Sequence, residues 1–134
     1  MSSFITFNVK THRSIQFVDI TRELRRILVE SGVKRGIMLV YTPHTTAGIT
    51  INENADPNVT SDMETFLKKK FPHEPYFRHG EGNSPSHLMS SYISASETLI
   101  IDSSQILLGT WQGVYFCEFD GPRNRKVHVK IIEG

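Results

Sequence analysis

The chain has one cysteine, one tryptophan and no apolar run long enough to span a bilayer, and these absences set the first limits on its 134 residues. A lone thiol, Cys117, finds no partner within the chain, so no internal disulfide staples the fold, which suits a reducing cytoplasm. Excess charge of one sign is missing too: fifteen Lys and Arg stand against fourteen Asp and Glu, a formal net charge of +1. That balance gives no field for a polyanion, so nucleic acid is not the expected partner. The opening MSSFITFNVKTH lacks the basic-then-apolar pattern of a secretory leader. Tandem repeats, low-complexity linkers, GxGxxG and P-loop spacings are all absent. These limits leave a soluble cytoplasmic protein with no membrane partner, a single domain over residues 1–134 that can bury about two thirds of its unfolded surface.

Apolar periodicity then predicts the elements. Ile5, Phe7 and Val9 alternate with Thr6, Asn8 and Lys10, the period of a half-buried strand, and a second short strand carries Ile15 and Phe17. Asp19 and Thr21 can cap a helix whose Leu24, Ile27 and Leu28 share a face, with Gly32 as its stop. GIMLVY is apolar throughout, which predicts a strand buried on both faces. After Pro43, residues 44–52 read as a further strand. Asp56 and Pro57 open a second helix with Val59, Met63, Phe66 and Leu67 as its apolar stripe and Lys68, Lys69 and Lys70 at its end. Residues 71–83 read as a long irregular loop, a kind that is often functional. Ser84 and Pro85 then start a short helix that packs Leu88, Met89 and Tyr92 inward. TLIID, QILLG, GVYFCEF and KVHVKII supply closing strands. The expected fold is α+β, a β-sandwich with two or three flanking helices.

His44, His79 and His87 are the main carriers of chemistry. Neutral imidazoles ligate metals, and three of them with an open position make a catalytic zinc-type site. No HExxH spacing accompanies them, and locally hydrogen-bonded histidines are the plain alternative. His87 falls in the first turn of the predicted helix, where the dipole disfavours an imidazolium and leaves a ring fit for ligation or proton transfer. The same helix start, with Asn83 and Ser84, is either an anion site for phosphate or pyrophosphate or an ordinary capped end. Asp56 reads as an N-cap, and Asp62 and Glu64 as solvated helix residues. Glu118, inside VYFCEFD, needs a partner or a metal if its face is core. Arg123 and Arg125 offer forks for phosphate or for surface ion pairs. Thr45 and Thr46 can bond a substrate or simply suit a strand, and Trp111 can stack on a heterocycle or fill a core. His12, His73 and His128 carry no such argument.

HTTAGITINENADPNV, GEGNSPSHL and LGTWQGVYFCEFDGPR resemble, in order, the three characteristic blocks of the YjbQ-like family, also called secondary thiamine-phosphate synthases. The resemblance runs over nearly the whole chain, through RKVHVKII. It implies a jelly-roll-like β-sandwich with flanking helices in chains that assemble as homotrimers. It also matches His44, Asp62, His79, Asn83, His87, Glu118 and Arg123 to the family's polar positions. Two departures are visible: a glycine usually follows the short helix where this chain has YISASE, and a turn glycine is usual where IDSSQ stands.

The implied activity joins a pyrimidine methyl diphosphate to a thiazole phosphate, releasing pyrophosphate and giving thiamine phosphate. On that reading catalysis falls to His44, His87 and Glu118. Binding of the phosphorylated small molecule falls to Thr45, Thr46, Asn83, Ser84, Trp111 and Arg123. A divalent metal ion, zinc-like or magnesium, falls to His44, His79 and His87, with histidine favouring the zinc-like ion. The alternatives are a metal-dependent hydrolase of a phosphorylated small molecule and a non-catalytic trimeric ligand-binding protein. All of them require the stretch 41–64 and the stretch 78–87 to fold together, and the small size of the domain places the histidines near a subunit boundary.

Overall fold

Alternation in the sequence becomes two antiparallel sheets. A computed structural model describes residues 3–134, so Met1 and Ser2, the start of the stretch searched for a leader, lie outside the described residues. The larger sheet runs in the order β1 (Ile5–Lys10), β8 (Asn124–Glu133), β3 (Gly36–Tyr41), β5 (Ser96–Asp102) and β6 (Gln105–Ile106). The smaller runs β2 (Gln16–Asp19), β7 (Gln112–Glu118), β4 (Ala47–Glu53). Three helices complete the α+β domain: α1 (Thr21–Ser31), α2 (Pro57–Lys70) and α3 (Ser84–Ile93). Among the described residues no helix is long and apolar enough to cross a membrane.

The smaller sheet is the middle layer. One of its faces meets the larger sheet and α1 in a core built on Leu24, Ile27, Met38, Val40, Ile49, Phe116 and Val127. Its other face meets α2 and α3 through Phe17, Leu67, Met89, Tyr115, Cys117 and Phe119. Each large side chain buried in these layers contributes about 1.5–3 kcal/mol relative to leaving it in water. Strand β7 is therefore buried at every position from Gly113 to Glu118.

Strand β3 is not. Met38 and Val40 face the core, whereas Ile37 and Tyr41 are exposed and Leu39 is half-buried. The expected burial on both faces is not seen, because among the described residues no element covers the outer side of the larger sheet. Phe4, Ile100 and Ile132 are exposed with them.

Helix α1 begins at Thr21 with Ile20, rather than Asp19 or Thr21, in the cap position and no side-chain cap, although Asp19 Oδ1 accepts the Thr21 amide at 2.9 Å. Gly32 ends α1 in the left-handed conformation at φ 71°. The Asp56 carboxylate accepts the Asn58 amide at the start of α2, with Pro57 in its first turn. Two other details differ. Phe66 points to solvent, so Leu67 alone in the α2 stripe is fully buried. In α3 the cap position is Asn83 rather than Ser84, and Leu88 and Tyr92 are exposed. The inward face of α3 carries small hydroxyl residues because the helix lies close on strand carbonyls: Ser86 Oγ donates to Phe119 O and Ser90 Oγ to Ala47 O, both at 2.6 Å. Strand β4 begins at Ala47 rather than His44, leaving Pro43–Thr46 as loop, and QILLG yields only the two residues of β6.

The turn between β5 and β6 consists of Ser103 at φ 52° and Ser104 at φ 64°. A two-residue hairpin of this kind prefers Asn-Gly, because both central residues need positive φ. Each non-glycine residue held there costs about 1 kcal/mol. The double change Ser103→Asn with Ser104→Gly is expected to raise the thermal midpoint by about 3–6 °C. An unchanged midpoint would show that the serines sit there without strain.

Candidate active site

One buried ion pair organises the end of the sandwich from which the candidate histidines project. Glu118 closes β7 and Arg125 opens β8, and both are buried. Arg125 Nε donates to Glu118 Oε1 at 2.9 Å, and its Nη2 donates to Glu118 Oε2. The remaining valences are used: Thr11 Oγ1 donates to Glu118 Oε1 at 2.7 Å, and the Asp120 amide donates to Oε2 at 3.0 Å. Arg125 Nη2 also reaches Thr46 Oγ1 at 2.8 Å. Burial pushes the Glu118 carboxyl up, but the bonds from Arg125, Asp120 and Thr11, with the Arg125 charge, hold it below its ordinary value. Glu118 thus has a partner, and that partner is an arginine. Buried, and with both carboxylate oxygens bonded within the chain, Glu118 holds Arg125, Thr11 and the Asp120 amide in place.

Beside this pair the loop 42–46 is tied to β8 at a single residue. Thr42 Oγ1 donates to Lys126 O at 3.1 Å, and the Lys126 amide donates to His44 Nε2 at 2.9 Å. Because Nε2 accepts, a neutral His44 carries its proton on Nδ1. Burial, and then the nearby Arg125 charge, lower the His44 pKa, with Lys126 and His128 adding to the effect and Glu118 opposing it. The ring is held as a neutral, oriented donor.

His44 and His87 line one cavity of about 610 Å3, together with Tyr41, Thr45, Ser90, Ser91 and Ser94. His87 comes from α3, half-buried, and His79 meets it edge-on from the 71–83 loop with ring centroids 5.2 Å apart. The structure therefore brings residues 41–45 of the first stretch to His87 at the end of the second, while the rest of the first stretch runs away along β4. A metal triad of His44, His79 and His87 fits less well. Among the described residues no three His, Cys, Asp or Glu side chains are arranged to hold an ion, and His44 Nε2 is already engaged.

The remaining expected residues divide. Thr45 is exposed on the cavity wall, but Thr46 is buried and serves Arg125. Arg123 is turned onto Asp120, its Nε donating to the carbonyl at 2.7 Å and its Nη2 to Oδ2 at 3.0 Å. Asn83 Nδ2 donates to the same Asp120 Oδ2 at 2.8 Å, and its buried Oδ1 has no protein partner. Ser84 opens α3 without lining the cavity. Trp111 is far away: β4 pairs Ala47 with Glu118 at the histidine end and Glu53 with Gln112 at the other, so Trp111 sits exposed at the opposite end of the sheet. Asp62 is exposed on α2. Reasoning from sequence gave Arg125 no more weight than Arg123. The signal was there: Arg125, Val127 and Val129 alternate on one face of β8, which marks an arginine facing the core. The hydroxyls of Ser90, Ser91 and Ser94 carried no comparable signal.

A family model described as "UPF0047 protein YjbQ-like" matches residues 5–134. The UPF0047 protein YugU of Bacillus subtilis is 48% identical over 128 residues, covering 95% of this chain and 97% of its own. A UPF0047 protein of Methanocaldococcus jannaschii is 52% identical over 126 residues, covering 94% and 91%. Among solved structures, a conserved protein of this kind from Clostridium acetobutylicum superposes with a TM-score of 0.93 at 52% identity, covering 96% of this chain and 99% of that one. A YbjQ-like protein of unknown function from Sulfolobus solfataricus gives 0.92 at 30% identity, covering 98% and 96%.

The two titrating groups predict a stepped acid response. Both have folded pKa values below those of the unfolded chain, so the unfolded state binds protons first and stability falls as pH falls. The contribution of His44 is complete above its ordinary value of 6.5 and is lost as pH drops through its lower folded value. That of Glu118 is complete above 4.5 and is lost further down. Denaturant melts across pH 8 to 3 are expected to show both declines, with His44→Gln removing the upper one. Glu118→Gln is expected to cost about 3–5 kcal/mol at neutral pH, because it strands a buried arginine. A flat profile between pH 7 and 5 in the unmodified chain would contradict the assignment to His44.

Proposed function

The chain belongs to the YjbQ-like UPF0047 family, and from that premise and the lining of the cavity we propose that it acts on a phosphorylated small molecule, most concretely as a thiamine-phosphate synthase-like transferase. The observation that carries the reading is the pairing of His44 and His87 with hydroxyl groups on one concave wall. A cavity of about 610 Å3 lies in the range that takes a small-molecule ligand.

In the proposed reaction a carbon–nitrogen bond forms between the thiazole nitrogen and the pyrimidine methylene, and the carbon–oxygen bond to diphosphate breaks. Charge builds on the leaving oxygen. Catalysis therefore wants fixed donors aimed at that charge in a site with little water. His44, locked with its proton on Nδ1, and His87 are such donors, and Thr45 adds a hydroxyl. The Glu118–Arg125 pair sets the position of the loop that carries His44.

The proposal extends to a cytoplasmic setting, where one buried unpaired thiol is at home. It extends also to a homotrimer. Strand β3 is apolar at positions its own chain leaves open, and Tyr41 belongs both to that outer face and to the cavity wall. A second copy docked there would reach the rim of the site.

Incubation with both halves of thiamine is expected to yield thiamine phosphate, and His87→Ala to lower the rate by about a hundredfold or more with an unchanged melting point. Hydrolysis of one phosphorylated half alone, abolished by chelator, would replace this reading with the hydrolase. Binding without product would replace it with a ligand-binding protein. In sedimentation equilibrium the chain is expected at three times its 15.3 kDa mass, and Ile37→Lys with Ile132→Lys to return it to one. A monomer in the unmodified protein would overturn the assembly.

A further inference from the structure

Ser94 follows α3 with φ 86° and ψ 158°, a combination that essentially only glycine adopts without strain. Its backbone is held from two sides. The Ser94 amide donates to Ser90 O at 2.9 Å, and its carbonyl accepts the Ile49 amide at 3.1 Å. Strand β4 approaches so closely that a Cβ on Gly48 would lie 2.8 Å from Ser94 O. These contacts fix the backbone and ask nothing of a side chain.

Glycine at position 94 would meet every one of those demands and remove the strain. The chain instead carries a Cβ and a hydroxyl there, at the wall of the cavity that holds His44, Thr45 and His87. The neighbouring hydroxyl of Ser90 is consumed by Ala47 O. The Ser94 hydroxyl makes no hydrogen bond to the described residues. Strained residues of this kind persist where the surroundings over-determine them, and they cluster at ligand sites.

We infer that Ser94 is a specificity-determining binding residue of this cavity, its hydroxyl donating to a phosphoryl oxygen of the ligand. The inference rests on the reading of the cavity as a site for phosphorylated molecules. It adds a discriminating contact from the end of α3, across from the His44 loop.

Calorimetric titration with inorganic pyrophosphate and with inorganic phosphate, alongside thermal melts, tests it on the full chain, Ser94→Gly and Ser94→Ala. Ser94→Gly is expected to melt about 3–5 °C higher, from relief of strain. The same variant is expected to bind pyrophosphate about tenfold more weakly, from loss of a charge-assisted bond. Ser94→Ala is expected to show the same loss of affinity without the gain in melting point. Equal affinity in all three proteins overturns the inference and leaves the cavity's reading standing. Weakened binding in Ser94→Gly alone overturns it as well, since backbone freedom would then be the cause. A Ser94→Gly midpoint no higher than that of the unmodified chain removes the strain on which the inference stands. Failure of the unmodified chain to bind either anion overturns both the inference and the reading beneath it.

Discussion

Glu118 and Arg125 stand seven residues apart on strands of different sheets, and neither can be taken out of water alone. Desolvating two charges costs several kcal/mol each, and the attraction between them offsets that only where the other donors and acceptors are satisfied too. Here they are, by Thr11 after β1, Thr46 before β4 and the amide of Asp120 after β7. The apolar layers supply most of the folding free energy, and the pair supplies alignment. Four strand ends are drawn to one point, and the loop bearing His44 is seated beside it. Moving any of those ends would leave a buried charge short of a bond, so the rim of the cavity inherits the rigidity of the core.

The same constraint explains why the run from His44 to Asp56 misleads when read as a line. It places a histidine, the threonine pair Thr45 and Thr46 and the carboxylates Glu53 and Asp56 within thirteen residues, as though they formed one wall. Strand β4 lies between them, seven residues long, and a strand rises about 3.4 Å per residue. Histidine and threonines are therefore separated by about 20 Å from Glu53, Asn54 and Asp56. The distal group has local duties. Glu53 Oε2 accepts the Asp56 amide at 3.3 Å, Glu53 O accepts the Tyr115 hydroxyl at 2.9 Å, and the Asn54 amide donates to Trp111 O at 2.9 Å. Trp111 belongs with that group rather than with the histidines.

Legibility followed the range of the forces involved. Helix α1, the Asp56–Pro57 start of α2 and the alternating strands β1 and β8 were readable because a capping carboxylate, a proline or a period of two acts over a few residues. GIMLVY and GVYFCEF could not be told apart, since both are apolar runs; only the stacking of layers decides that β7 is covered twice and β3 once. The inward face of α3 was misread for a similar reason. Leu88 and Tyr92 look like core residues until the helix is seen to turn Ser86, Met89 and Ser90 toward the strands instead. Of the site, the meeting of His44 with His87 was legible from two polar stretches in an otherwise apolar chain. The tautomer of His44 was not, because it depends on one amide of Lys126, eighty-two residues away.

Tyr41 links the outer face of the larger sheet to the cavity. Its ring stacks on His128 at a centroid distance of 6.2 Å, inside an apolar hollow formed with Phe4 and Leu39, and it also borders the cavity of His44 and His87. Both hollows are open, and Tyr41 borders each. Any anion bound in such an open site would compete with water for every donor, and an electrostatic contact weakens as the local dielectric rises. Covering the outer face of β3 would bury Ile37 and Tyr41 and narrow the mouth of the cavity in one movement. The apolar surplus of that strand and the exposure of the histidine site are then two aspects of one surface, which a neighbouring copy would close at the point where Tyr41 turns from one hollow into the other.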